Sequence, residues 1–252
     1  MSLLKAERHG ATLLLTLDDP ARRNILSGPL CDALSTAIAA ANDDEDLRAI
    51  VITGAGSAFC AGADLDDLEA AAEDDTDALH AVYRSFMSVA ESELPTIAAV
   101  NGPAVGAGMN LALACDMRIA SEKALFDTRF LKIGLHPGGG HGWLLLRAVG
   151  WAEATRLLLA GSVVRAEEAK TIGLAQQIAS PDLLVEAALK LAEATHEIPR
   201  ELLVRTKRSL RVAAASDHRR TFEHETVEQL HSMKQPPFRA LLQRMKAAVT
   251  SR

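Results

Sequence analysis

An α/β architecture is predicted for this chain, made of right-handed, mostly parallel βα units and followed by a helical C-terminal part. Three observations carry that expectation. Short, continuous apolar runs recur in the first half of the chain, and each stops at a turn signal. Helical patterns lie between them, as crossover connections require. Beyond about residue 139 strand signals nearly vanish and helical periodicity continues to the end. The expected division is a core over residues 1–180 and a helical region over residues 181–252.

In order, residues 11–18 read as a strand closed by Asp18-Asp19-Pro20. A helix follows from about Pro29, with Leu30, Leu34, Ile38 and Ala41 on one face. Ala49 to Thr53 is a buried parallel strand ending at Gly54. Residues 66–78, acidic and alanine-rich, are expected to be mobile, and residues 79–91 to form a helix. Thr96 to Val100 and Met117 to Ala120 are further buried strands. Helices are then expected over 141–149, 151–160, 165–171, 181–195, 198–215, 217–232 and 236–249. Leu184, Ala188 and Leu191 mark one buried face, and Leu203, Leu210 and Ala214 another.

Composition narrows the function classes. The chain has 252 residues, 48% of them hydrophobic and 24% charged, which is ordinary for a globular protein. A net charge of −6 argues against a nucleic-acid partner. No apolar run reaches the roughly 20 residues of a membrane span. The first residues, Met1 to Arg8, carry charges where a signal peptide needs an apolar centre, so the cytoplasm is expected. Cys31, Cys60 and Cys115 lack metal-ligand spacing and read as reduced packing residues. No metal site is expected.

Two small-residue turns carry the chemistry. Ala98 to Leu111 reads as a strand that stops at Asn101-Gly102, crosses a turn and enters a helix. Phe59-Cys60-Ala61-Gly62-Ala63-Asp64 is a second such turn. Glycine lets a ligand approach bare backbone N–H donors, and a helix N-terminus favours negative charge. Two donors converging from two turns would stabilise a developing oxyanion.

These blocks resemble the crotonase superfamily, the enoyl-CoA hydratase/isomerase family. Also matching are Asp19 to Leu26, Ala58 to Leu65, Ile133 to Gly139, Arg147 to Gly150, Leu159 to Gly161, Ala166 to Ala169 and Gly173 to Ala175. The resemblance covers nearly the whole chain. It implies a core of repeated ββα turns and C-terminal helices that mediate trimerisation, with a homotrimer or dimer of trimers as the assembly. It implies an acyl-CoA thioester as ligand, with coenzyme A part of that ligand and no separate cofactor. The thioester carbonyl would sit between the N–H groups of Ala63 and Ala107. The nucleotide would lie near Arg23, Ile25 and Leu26, and near Ala61, Asp64 and Leu65. Arg22 and Arg23 read either as phosphate partners or as a solvated charge pair. Arg244 and Lys246 are further candidates for reaching coenzyme A.

The same alignment exposes departures. Hydratases of this family use two glutamates to add water across an enoyl thioester. The corresponding positions here are Asn110 and Phe130, and an aspartate used by other relatives corresponds to Gly138. An amide is no general base near neutral pH, and a phenyl ring exchanges no proton. His136 and His141, which bracket Pro137 to Gly140, are candidate substitutes, set against the plainer reading of capping or surface histidines. Asp127 reads as an N-cap or a group at the pocket rim. Tyr83, the only tyrosine, is a candidate pocket residue beside Phe130. Asp64, Asp66 and Asp67 read as an acidic helix start. Two main functions follow: an enoyl-CoA hydratase/isomerase-like enzyme of fatty-acid or related metabolism with weak or absent two-glutamate hydration, or a non-catalytic acyl-CoA-binding or shuttle protein. A regulatory subunit of a mixed oligomer is a third.

Overall fold

The structure, a computed structural model, describes residues 2–250, with side chains through residue 246. The elements in chain order begin with β1 (Leu4–His9), β2 (Thr12–Leu17), α1 (Gly28–Asp43), β3 (Ala49–Gly54), α2 (Leu65–Ala72) and α3 (Asp77–Glu91). Next come β4 (Thr96–Val100), β5 (Pro103–Val105), α4 (Ala107–Ala114), β6 (Met117–Ser121) and β7 (Leu125–Asp127). Then follow α5 (His141–Leu159), β8 (Val164–Arg165), α6 (Ala166–Thr171), β9 (Gln177–Ala179) and α7 (Leu184–Glu193). The last helices are α8 (Arg200–Ala215), α9 (His218–Met233) and α10 (Pro236–Thr250).

A six-stranded sheet runs in the order β1-β2-β3-β4-β6-β9, and a smaller sheet in the order β5-β7-β8. From β2 to β9 every pairing in the large sheet is parallel, which demands helical crossovers. β1 is the exception, an antiparallel edge strand joined to β2 through Gly10, whose φ of +59° suits glycine. The strand period of two sends alternate side chains to two separate cores. Ile50 and Ile52 of β3 join one cluster with Leu30, Leu34 and Ile38 of α1. Ala49 and Val51 join another with Leu14, Ile97, Ala99 and Ile119.

That second face explains where the core ends. α7 covers it with Leu184, Ala188 and Ala192, spaced by four residues along one stripe. The small alanines let the helix lie close on the sheet. The described chain divides into compact units after His196, so α7 goes with the first unit and not with the C-terminal helices expected from residue 181. Leu191 of the expected stripe is half-buried. In the second unit Leu210 and Ala214 are exposed, against the buried face expected of them.

Two further expectations change. α2 is a helix where a mobile stretch was expected. The Asp64 side chain caps it by accepting from the Asp66 N–H, and Asp66 and Asp67 place negative charge in its first turn. The short strands β5, β7, β8 and β9 have no counterpart among the expected elements. Together with β4, β6 and α4 they give the strand–short strand–helix units that the resemblance implies. No helix among the described residues is long and apolar enough to cross a membrane.

Candidate active site

Two backbone hydrogen bonds and two glycine-dependent approaches stitch the two turns together. The Val105 N–H donates to the Cys60 carbonyl at 3.0 Å, and the Cys60 N–H to the Pro103 carbonyl at 3.1 Å. A Cβ on Gly108 would lie 2.1 Å from the Cys60 oxygen, so only glycine allows α4 this close. Gly62 has φ +109°, and a Cβ there would lie 2.8 Å from the Val105 oxygen and 3.7 Å from the Ala107 nitrogen. The backbone just before Ala63 is already used: the Ala61 N–H donates to the Arg23 carbonyl, and the Gly62 carbonyl accepts from the Leu26 N–H. The N–H groups of Ala63 and Ala107 find no acceptor among the described residues. Ala107 begins α4, where an N–H has no intrahelical partner.

Both alanines line one cavity of about 330 Å³. Its walls are mostly apolar, with Leu68, Leu79, Val82, Phe130, Ile133 and Leu135. Ala61, Leu65, Tyr83, Asn110, His136 and Gly138 also face it. No Asp or Glu lines it among the described residues. The structure therefore brings together most of the candidates named from sequence.

Asn110 is 1% exposed and held on both sides. Its Nδ2 donates to the Gly138 carbonyl at 3.1 Å, and its Oδ1 accepts from His141 Nδ1. His141 lies behind Asn110 and is not part of the cavity wall. It is 1% exposed, packs edge-on against Phe130 with ring centroids 4.9 Å apart, and its Nε2 has no partner among the described residues. Burial lowers its pKa to about 4, so it is neutral at pH 7. Its ring supports Asn110 through that hydrogen bond. His136 is exposed at the cavity edge, with Nδ1 2.9 Å from the Pro137 carbonyl. Tyr83 packs on Phe86 and reaches over Gly138, where an added Cβ would lie 2.4 Å from its Oη. Partial burial raises the phenol's pKa.

The expected nucleotide-binding residues are less uniform. The Leu26 side chain is fully buried in the core, so what it can offer a ligand is its backbone. Ile25 is half-buried and Arg23 exposed. Arg22 is drawn to Asp19 at 2.7 Å and Asp64 at 3.6 Å, an acidic environment for a phosphate partner. Asp127 is buried and pairs with Arg129 at 2.9 Å and Lys132 at 3.1 Å, while also accepting from the Arg129 N–H. Arg244 and Lys246 lie in the second unit.

Asn24 was not anticipated. It is fully buried at φ +56°, and its side chain donates to the carbonyls of Ala55 and Ala58 at 2.9 Å while accepting from the Asp19 N–H. It pins the loop bearing Arg23 beside the Phe59–Asp64 turn. The only sequence signal was an Asn inside the Arg-Arg-Asn block, a residue type that tolerates the left-handed region. Cys31 and Cys60 are buried thiols pushed up to about 11 and about 12 by desolvation. Among the described residues no group of three or more His, Cys, Asp or Glu could hold a metal ion.

Against known proteins, residues 7–243 match the family model described as enoyl-CoA hydratase/isomerase. A probable enoyl-CoA hydratase of Mycobacterium tuberculosis, echA14, is 46% identical over 247 residues, covering 95% of each chain. The 2,3-dehydroadipyl-CoA hydratase of Escherichia coli is 40% identical over 197 residues, covering 76% of this chain and 75% of that one. A solved enoyl-CoA hydratase of Bacillus anthracis superposes with a TM-score of 0.92 at 28% identity, covering 98% of this chain and 96% of its own. The parallel α/β core, the ordered motifs and these matches lead to one conclusion: the chain belongs to the enoyl-CoA hydratase/isomerase family.

Proposed function

We propose that the protein binds an acyl-CoA thioester and polarises its carbonyl between the N–H groups of Ala63 and Ala107. The observation that carries this reading is that pair of donors, unengaged and facing one cavity. Negative charge developing on the carbonyl oxygen is favoured there by two dipoles and a helix N-terminus. The apolar wall seats the acyl chain, at about 25 cal/mol per Å² buried. Coenzyme A enters as part of the ligand, past Ala61 and Leu65 towards Arg23, Ile25 and Asp64. A cytoplasmic setting and assembly as a homotrimer or dimer of trimers belong to the same proposal.

Relatives named as hydratases make an enoyl-CoA the first substrate to try. General acid–base help contributes about 10²–10⁴ per group. With Asn110 and Phe130 at the glutamate positions, ordinary hydration is slow, and His136 is an imidazole left at the cavity edge, with Tyr83 and Arg129 also lining the cavity. The carboxylate-free wall equally favours a second reading, a protein that holds acyl-CoA without converting it.

Loss of the enoyl-thioester absorbance of crotonyl-CoA separates the two. Wild type is expected to turn over at least about 10²-fold more slowly than Asn110→Glu/Phe130→Glu. Fast wild-type hydration overturns the reading of the broken pair. Residual activity that His136→Ala abolishes favours the enzyme, and binding without any turnover favours the carrier. Ala107→Pro tests the donors themselves. Proline is tolerated at the first helical position but carries no N–H. Turnover, or thioester affinity, is expected to fall with the helix content unchanged, and an unaltered value sinks the proposal.

A further inference from the structure

Arg118 does not line the cavity, yet it is bonded to the helix that carries one of the two donors. It lies on β6, an interior strand of the large sheet, and is 7% exposed. Its Nη1 donates to the Cys115 carbonyl at 2.7 Å and to the Ala112 carbonyl at 3.4 Å, and its Nε to the Leu174 carbonyl at 2.7 Å. Ala112 is in the last turn of α4 and Cys115 is its C-cap. Carbonyls at a helix C-terminus lack intrahelical partners and form its negative pole, which a cation stabilises.

The guanidinium bonds neutral carbonyls alone. Among the described residues no carboxylate pairs with it, and the adjacent Asp116 carboxylate accepts from the N–H and hydroxyl of Thr96 at 2.7 and 3.0 Å. Burial lowers the guanidinium pKa, but the group stays charged at neutral pH. A buried charge without a bonded counter-charge is costly, and capping alone does not require one. The other end of α4 is the Ala107 N–H. The helix has eight residues, about 12 Å in length, and Gly108 to Ala114 are all buried, so screening along it is weak. At about 12 Å and an effective dielectric constant of about 20, a unit charge changes the stability of an anion about tenfold.

We infer that Arg118 is a positioning residue for the oxyanion site: it clamps the C-terminal end of α4, fixes the Ala107 N–H through the helix, and sets a buried positive charge behind that donor. The inference rests on the acyl-CoA reading above. Negative charge on a bound thioester oxygen is then stabilised by a side chain that lies outside the cavity wall.

Titration of a bound enolate by the full chain tests this. Acetoacetyl-CoA is the probe, because its enolate absorbs in the ultraviolet and so reports the ionisation constant of the bound thioester. Butyryl-CoA, which stays neutral, is the control for affinity. In Arg118→Met the ionisation constant of bound acetoacetyl-CoA is expected to fall about tenfold, and in Arg118→Lys to return most of the way to wild type. A merely structural role lowers the affinity for both thioesters and leaves that constant unchanged, an outcome that overturns the inference. So does a fall that Arg118→Lys does not restore. Should Arg118→Met fail to fold, Gln176→Glu decides. The exposed Gln176 side chain accepts from the Arg118 N–H at 2.7 Å, so glutamate keeps that bond and brings a carboxylate near the guanidinium. A fall of about twofold is expected there, and an unchanged constant overturns the inference. If wild type binds neither thioester, the acyl-CoA reading falls with it.

Discussion

The imidazole of His141 is almost wholly out of water, and its ionisation is set by that position. Its folded pKa falls from 6.5 to about 4 because burial disfavours the charged ring. The unfolded chain takes up the proton as pH drops below about 6.5, and the folded chain does so only near 4. Stability from this group is thus complete above about pH 6.5 and is lost as pH falls towards 4, by an amount on the order of 3 kcal/mol. Chemical denaturation at pH 7 and pH 4.5 is expected to show this loss in wild type and a smaller one in His141→Gln. Glutamine keeps an N–H donor for Asn110 but does not titrate. An equal acid loss in both would place the effect in other groups. His141 and Asn110 were each named from sequence, but their pairing across 31 positions was not legible, because α4 and α5 are brought together only by the packing of the core. That packing sets a neutral ring behind the amide.

At the level of elements, the site depends on how closely two strand–helix turns approach. The added Cβ of Gly108 would meet a backbone oxygen at 2.1 Å, and no side chain can move aside there. Gly108→Ala is expected to destabilise by about 1–3 kcal/mol through overpacking and to weaken acyl-CoA binding by separating the Ala63 and Ala107 donors. Gly138→Ala meets the tip of Tyr83, which can swing away. Its thermal midpoint is expected to stay near wild type while the cavity polarity changes. Calorimetric melting of both variants checks the contrast. The turns were readable because glycine and small residues at fixed places have few other uses. β3, β4 and β6 were readable as apolar runs covered on both faces. β1 was not, since Leu4 alone is buried and the rest of this edge strand is solvated. β5, β7, β8 and β9 have two or three residues each, too short to show a period of two. α2 was missed because its many carboxylates suggested a solvated loop, whereas they stabilise its N-terminal turn.

For the molecule as a whole, the C-terminal unit poses a problem of burial. In α8 the residues buried are Lys207 and Ser209, and in α9 none is buried. Leu210 is 65% exposed, Phe222 63%, Val227 65% and Met245 67%. Helices of this length gain most of their stability from packing an apolar face, and here the large apolar side chains are left in water. A second copy of the same chain is the partner that the family resemblance supplies. Light scattering is expected to give three or six times the 26.9 kDa chain mass. Leu210→Glu/Phe222→Glu is expected to lower that mass and the melting temperature together, and to make melting of the wild type depend on protein concentration but not that of the variant. A wild-type chain that is monomeric and melts independently of concentration would contradict this. The exposed Glu201–Arg205–Glu228 ion pairs are screened by water and contribute little to holding the helices together. Association through apolar faces is the larger effect by the area it removes from water, so the oligomer is where the stability of these helices is expected to reside.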